Sequence, residues 1–146
     1  MEQAARRDRM SLLAKAPAER LAALWRDLGL APDFTWLRTP EIGGVMVRGR
    51  TGGTGAPFNL GEMTVTRASV QLTGGAVGHA YVQGRDKDKA RVAALIDALM
   101  QGGDAARIDA GVLAPLRAEQ AAARHRRAAK AAATKVDFFT LVRGED

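Results

Sequence analysis

The residues best suited to chemistry are two short runs, Arg50-Thr51-Gly52-Gly53-Thr54-Gly55 and Gln83-Gly84-Arg85-Asp86-Lys87. Glycines let successive backbone N–H groups converge on an anion, and Arg48, Arg50 and Arg67 would supply positive charge to the first run, so it could cradle a phosphate. It matches neither common template. A P-loop continues as Gly-Lys-Ser/Thr into a helix, and the dinucleotide fingerprint spaces its glycines between a strand and a helix; here Ala56-Pro57-Phe58 follows in a strand-like context. The plainer reading is a connection between two strands. The second run falls where a strand hands over to a helix N-terminus, a place that favours anions. Alternatively, Gly84 makes the turn and Asp86 caps the helix, leaving a carboxylate where an anion would sit. His79 and Tyr81 alternate on one strand and could exchange protons, although a hydrogen-bonded surface pair has the same spacing. Ser11 and Ser69 lack the flanking glycines of a nucleophile elbow. No catalytic constellation stands out.

Composition narrows the options. The chain has 146 residues, no cysteine and two histidines, enough length for one ordinary domain with a real core. Without cysteine there is no disulfide, thiolate metal site or thiol nucleophile, and His79 and His125 are too far apart in sequence for a His-based zinc motif. No metal site is expected. No apolar run approaches a membrane span and the first residues lack an apolar signal region, so a soluble, cytoplasmic protein is expected. Of the 47% apolar residues, 29 are alanine, which buries little area.

The elements follow from periodicity. Leu21, Leu24, Trp25 and Leu28 repeat at i, i+3, i+4, i+7, so residues 1–30 are helical, with a shorter helix carrying Met10 and Leu13 before the main one. Pro17 and Glu19 mark the start of the main helix, and Gly29 followed by Pro32 its end. From residue 34 to 83 the period becomes two, predicting strands over 34–38, 45–50, 63–73 and 77–83, with Gly74-Gly75 turning a tight hairpin between the last two. Thr64, Thr66, Ala68, Val70 and Leu72 share one face, so the sheet covers a core on one side. Residues 86–101 form a second strong helix, with Asp86 or Asp88 able to cap it, Val92, Leu95, Ile96 and Leu99 as its stripe and Gly102-Gly103 as its end. Residues 104–112 read as a variable link. The fold class is α+β: an antiparallel sheet of about four strands with helices on one face.

A long Ala/Arg-rich helix over 115–134 is the oddest segment. Between Arg117 and Lys135 it carries no large apolar residue, while Arg117, Arg124, Arg126, Arg127, Lys130 and Lys135 face a single acid, Glu119. Alanine propagates a helix well, but this one has little to bury in its own domain. No aromatic lies in it to stack a base, and no Leu, Phe or Trp opposes its charges to enter a bilayer, so neither nucleic acid nor membrane is expected. A protein partner fits better. The closing residues 136–146 include Phe138 and Phe139 and should dock on something, with Arg124, Arg127 and Arg143 beside them as interface candidates.

Taken together, Arg50-x-Gly52-Gly53-Thr54-Gly55, Thr66-Arg67-Ala68, Val82-Gln83-Gly84-Arg85-Asp86, Ala94-Leu95-Ile96-Asp97-Ala98-Leu99 and Val136-Asp137-Phe138-Phe139-Thr140-Leu141-Val142-Arg143-Gly144 resemble PhnG, a subunit family of the bacterial carbon–phosphorus lyase core complex. The matches keep their order from about Met10 to the end of the chain. Leu141 stands where the family often has Met, a nearly volume-conserving change. The resemblance implies one PhnG-like domain acting in phosphonate metabolism with PhnI, PhnH and PhnJ, and with PhnL for activity. The implied step is displacement of adenine from ATP by a phosphonate, giving ribose 1-phosphonate 5-triphosphate. ATP and Mg²⁺ would then be substrate and ion of the complex, with no cofactor bound by this chain alone. PhnI would carry the chemistry, leaving this chain an accessory subunit. Arg50 to Gly55, Arg67, and Gln83 to Lys87 are the candidates for bracing the PhnI-like partner or lending an anion contact. The alternatives are a pure assembly scaffold and a stand-alone basic nucleic-acid-binding protein.

Overall fold

The computed structural model describes the backbone of residues 2–143 and the side chains of residues 2–134. Two helices, α1 (Glu2–Lys15) and α2 (Ala18–Leu28), precede three strands, β1 (Phe34–Arg50), β2 (Pro57–Leu72) and β3 (Val77–Gln83). Then come α3 (Lys87–Leu99), a single turn α4 (Ala105–Ile108), a π turn (Asp109–Leu113) and the long α5 (Ala114–Arg143). The sheet is antiparallel in the order β1-β2-β3.

The sheet has three strands where four were expected, because residues 34–38 and 45–50 belong to one. Pro40 lies between those two segments. It sits on an edge strand, where its missing N–H leaves no partner unsatisfied, and the pairing with β2 slips between Trp36 and Arg38 and again between Arg38 and Glu41 to carry the strand past it. The hairpin between β2 and β3 forms as its glycines require: Leu72 and Gly75 close the turn by backbone hydrogen bonds of 2.8 Å, with Gly75 at φ 100°.

One face of the sheet is covered. Thr66, Ala68 and Val70 of β2 and Ala80 and Val82 of β3 are buried with the Val92, Leu95, Ile96 and Leu99 stripe of α3 in one core. That packing depends on Gly78, where a Cβ would lie 2.0 Å from the Ala94 carbonyl oxygen and 2.6 Å from the Ala98 nitrogen. Leu12 and Leu13 of α1 and Leu21, Leu24 and Trp25 of α2 close the core from outside. Gly29 ends α2 in the left-handed region at φ 68°, its N–H donating to the Arg26 carbonyl.

Residues 104–112, expected as a variable link, bring Ile108 and Val112 into the core, and Leu113 and Leu116 follow them in. Their helical spacing is split between a single turn and a π turn, which hides the period from a sequence window.

A charge also lies inside. Asp97, on the buried side of α3, accepts hydrogen bonds from Arg6 Nε (3.0 Å), Arg6 Nη2 (2.7 Å) and the backbone N–H of His79 (2.9 Å), with Arg9 Nη2 at 3.7 Å. One carboxylate thus ties α1, α3 and β3 together.

Candidate functional site

Two elements leave the packed body. The first is the β1–β2 ribbon beyond Glu41. In an antiparallel ribbon directly opposed residues share a face, so the pairs Gly43↔Val65, Val45↔Met63, Val47↔Gly61 and Gly49↔Phe58 place Val65, Met63, Val45, Val47 and Phe58 on one side. Leu60, bulged out where the register slips, joins them: a Cβ at Gly49 would lie 2.9 Å from its Cδ1. This apolar stripe runs from Val65, buried at the base, to Leu60 and Phe58, 60% and 44% exposed near the tip. From Glu41 to Arg50 the ribbon reaches about 30 Å at the usual strand rise.

The second element is α5. Leu116 is buried, but residues 121–134 are exposed apart from the half-buried Ala123. The alanines give this stretch nothing to bury against its own domain. The area measures the result. The chain exposes 9796 Å², whereas a compact protein of 15.5 kDa exposes about 7,200 Å².

The glycine run Arg50 to Gly55 is the tip of the ribbon. Gly52 and Gly53 take positive φ angles of 63° and 84°, and a Cβ on Gly55 would lie 2.5 Å from the Thr51 carbonyl oxygen, so the turn itself requires these glycines. In the second run Gly84 has φ 91°, its carbonyl accepts a 2.7 Å bond from the Thr66 hydroxyl, and Asp86 accepts one of 2.9 Å from the Lys89 N–H as the cap of α3. Both runs thus have internal structural roles, and Thr51, Thr54, Arg85 and Lys87 remain exposed around them. The runs do not converge. Gln83 pairs with Val65 while the ribbon closes at Pro57, a separation of about 26 Å along the strand.

Arg67 is engaged within the fold. On the uncovered sheet face its guanidinium donates to Glu41 Oε2 at 3.1 and 3.2 Å and reaches the Tyr81 hydroxyl at 3.5 Å, while Arg38 donates to the same Glu41 oxygen at 3.1 Å. These arginines, Arg67 foremost, hold the Glu41 carboxyl below its ordinary pKa. Ser69 Oγ and His79 Nδ1, opposed across β2 and β3, lie 2.8 Å apart on the same exposed face. His79 is thus bonded to Ser69 and Tyr81 is reached by Arg67, so the pair expected of His79 and Tyr81 does not form between those two side chains. Among the described residues no third group orients the imidazole from its other ring nitrogen.

Of the α5 candidates, Arg124 donates to Gln120 at 3.4 Å and Arg127 lines a groove against α1. The helix continues through 136–143 where a separate tail was expected; the side chains of Phe138, Phe139 and Arg143 lie outside the described residues. Among the described residues no three His, Asp or Glu group as a metal site, and no described helix is long and apolar enough to cross a membrane. Sequence reasoning missed two features: Asp97, whose signal was a lone acid in an otherwise apolar helix face, and the stripe, whose signal was the alternation Val45, Val47 and Met63, Val65.

These observations define a small α+β protein with one covered sheet face and two projecting elements. A family model described as phosphonate metabolism protein PhnG matches residues 4–144. The chain belongs to the PhnG family. Over 148 residues it is 49% identical to alpha-D-ribose 1-methylphosphonate 5-triphosphate synthase subunit PhnG of Rhizobium meliloti (strain 1021), covering 98% of this chain and 92% of the relative.

Proposed function

We propose that this chain is the PhnG subunit of a ribose 1-methylphosphonate 5-triphosphate synthase, an accessory part of the step in which a phosphonate oxygen attacks the ribose anomeric carbon of ATP and adenine leaves. The observation that carries this reading is the surplus surface. The excess over a compact chain is about 2,600 Å², and a standard protein–protein interface takes about 800 Å² from each partner. Among the described residues, the apolar stripe of the ribbon near its tip and residues 121–134 of α5 lie uncovered. A subunit with this surface is completed by assembly. The resemblance names PhnI, PhnH and PhnJ as its neighbours and PhnL as a requirement for activity, with ATP and its Mg²⁺ as substrate of the whole. The reaction brings a triphosphate and a phosphonate to a carbon that develops positive charge, so those anions need compensating charge, and the exposed Arg50 at the ribbon tip is the candidate of this chain to lend it inside a partner's cleft.

Size-exclusion chromatography with light scattering, on this chain alone and co-expressed with its PhnI-like partner, tests the reading. A stoichiometric complex in which Phe58→Asp or Leu60→Asp blocks assembly is the expected result. A lone chain that ignores the partner overturns it. In a complex that assembles normally, Arg50→Ala lowering nucleoside exchange marks the tip as an active-site contributor, and unchanged exchange marks the ribbon as a scaffold only.

A further inference from the structure

Where α5 leaves the body it stands across a trough from α1. The trough encloses about 710 Å³, with Leu12, Ala16, Leu116 and Ala123 along its floor and Lys15, Arg126 and Arg127 on its lips. It continues along α1 into a second hollow of about 510 Å³ beside Asp8, Ser11, Arg117 and Arg124. The charges are not balanced from within. Glu119 is held by Arg20 at 2.7 Å and Arg117 by Asp109 at 2.9 Å. Among the described residues Lys15, Arg124, Arg126 and Arg127 therefore have no acidic ion-pair partner, and Asp8 is the remaining acid of the trough.

Resting on the subunit reading above, we infer that this trough receives an acidic amphipathic helix of a partner protein. An apolar floor with a row of arginines on the α5 side and Lys15 on the α1 side is the complement of a helix with one aliphatic face and Asp or Glu on its flanks. A second copy of this chain is a poor occupant, because it brings the same net charge of +6 and the same basic α5. A polyphosphate would use the cations but not the floor, and no aromatic lines the trough to stack a base.

The test uses the full chain and the remaining synthase subunits, co-expressed without it and immobilised. Arg126→Glu with Arg127→Glu keeps good helix formers on exposed positions, so the protein stays folded. Its affinity falls on the order of 10- to 100-fold and its salt dependence flattens, while the Arg126→Lys, Arg127→Lys protein binds as the parent does. Because the chain has no cysteine, Ala123→Cys labelled with a benzophenone crosslinks uniquely from the floor, and the crosslink falls in a segment rich in Asp and Glu. A parental affinity for the charge-reversed pair, or a crosslink to a neutral or basic segment, overturns the inference. If Phe58→Asp still abolishes binding in that case, the subunit reading stands and only the trough assignment falls; a parent chain that binds nothing removes both. ATP titrated into the lone chain is the last arm. Binding that the charge reversal abolishes replaces the partner helix with a polyphosphate, and self-association abolished in the same way replaces it with a second copy.

Discussion

Asp97→Ala should cost far more than an ordinary surface substitution. The Asp97 side chain is 1% exposed and accepts three hydrogen bonds, two from Arg6 and one from the His79 N–H, with Arg9 close by. Removing it has unequal consequences for the donors. Arg6 is 38% exposed and can turn to water. The His79 N–H is left without its acceptor, at about 1–3 kcal/mol. Arg9 is 14% exposed and its Nε already has no partner, so its charge loses its nearest compensation. Breaking a buried pair by removing one partner costs about 3–5 kcal/mol, and the freedom of Arg6 places this case near the lower end, about 3 kcal/mol. At roughly 2–4 °C per kcal/mol for a chain of this size, the melting temperature falls by about 6–12 °C. Arg6→Ala, which leaves Asp97 its backbone bond and Arg9, costs about 1–2 kcal/mol. Urea denaturation followed by circular dichroism measures both. A loss below about 1 kcal/mol for Asp97→Ala would refute the assignment of this carboxylate as the tie between α1, α3 and β3.

Gly78→Ala forces a methyl group against the α3 backbone and destabilises by about 2 kcal/mol or more, read as a lower urea midpoint; a neutral result would show that α3 does not approach β3 this closely. Phe58→Asp leaves the melting temperature of the isolated chain within about 2 °C of the parent, since an exposed position contributes within about 0.5 kcal/mol, yet blocks assembly. Lys89 is 7% exposed, its ammonium bonded to the Ala14 carbonyl at 2.9 Å, and burial lowers its pKa below the ordinary lysine value while Asp86 opposes the shift. The unfolded chain then holds this proton to higher pH than the folded one, so the Lys89 contribution to stability rises with pH between the lowered value and about 10.4. Comparing urea midpoints at about pH 8 and pH 10 for the parent and Lys89→Met checks this, and an equal slope for the two proteins contradicts it. Glu41 runs the other way: its contribution is full above the ordinary carboxylate pKa and is lost as pH falls through the lowered one, and Glu41→Gln should flatten that acid limb.

Much of the body was legible because its signals are local. The stripes of α2 and α3, the Gly29 stop, the Gly74-Gly75 hairpin, the Asp86 cap and the buried face of β2 each follow from period or turn chemistry within a few residues. What escaped depends on partners distant in sequence. Residues 39–44 fell between two expected strands until β2 supplied a register slip past Pro40, and Ile108 and Val112 fell in an expected link until a π turn restored their common face. Of the candidate site, the sequence carried the turn and cap chemistry but not the placement. Most glycines of Arg50 to Gly55 and Gln83 to Lys87, and Asp86, answer to turns and a cap, and pairing register sets the two runs apart. The trough beside Lys15, Arg126 and Arg127 had no sequence signal, since it exists only through the angle at which α5 leaves the body.

The stretch of α5 from 121 to 134, which lacks tertiary support, also gives the molecule two kinds of order. The core melts as a unit, whereas a helix held by alanine propensity alone is near its own helix–coil balance at ordinary temperature. Ellipticity at 222 nm should therefore slope downward on warming well before the signal from Trp25 breaks, with the slope steepened by Ala128→Gly and removed when a partner covers the helix. This segment would exchange its amide protons on the schedule of a peptide while α3, which ends at Leu99, exchanges only with global unfolding.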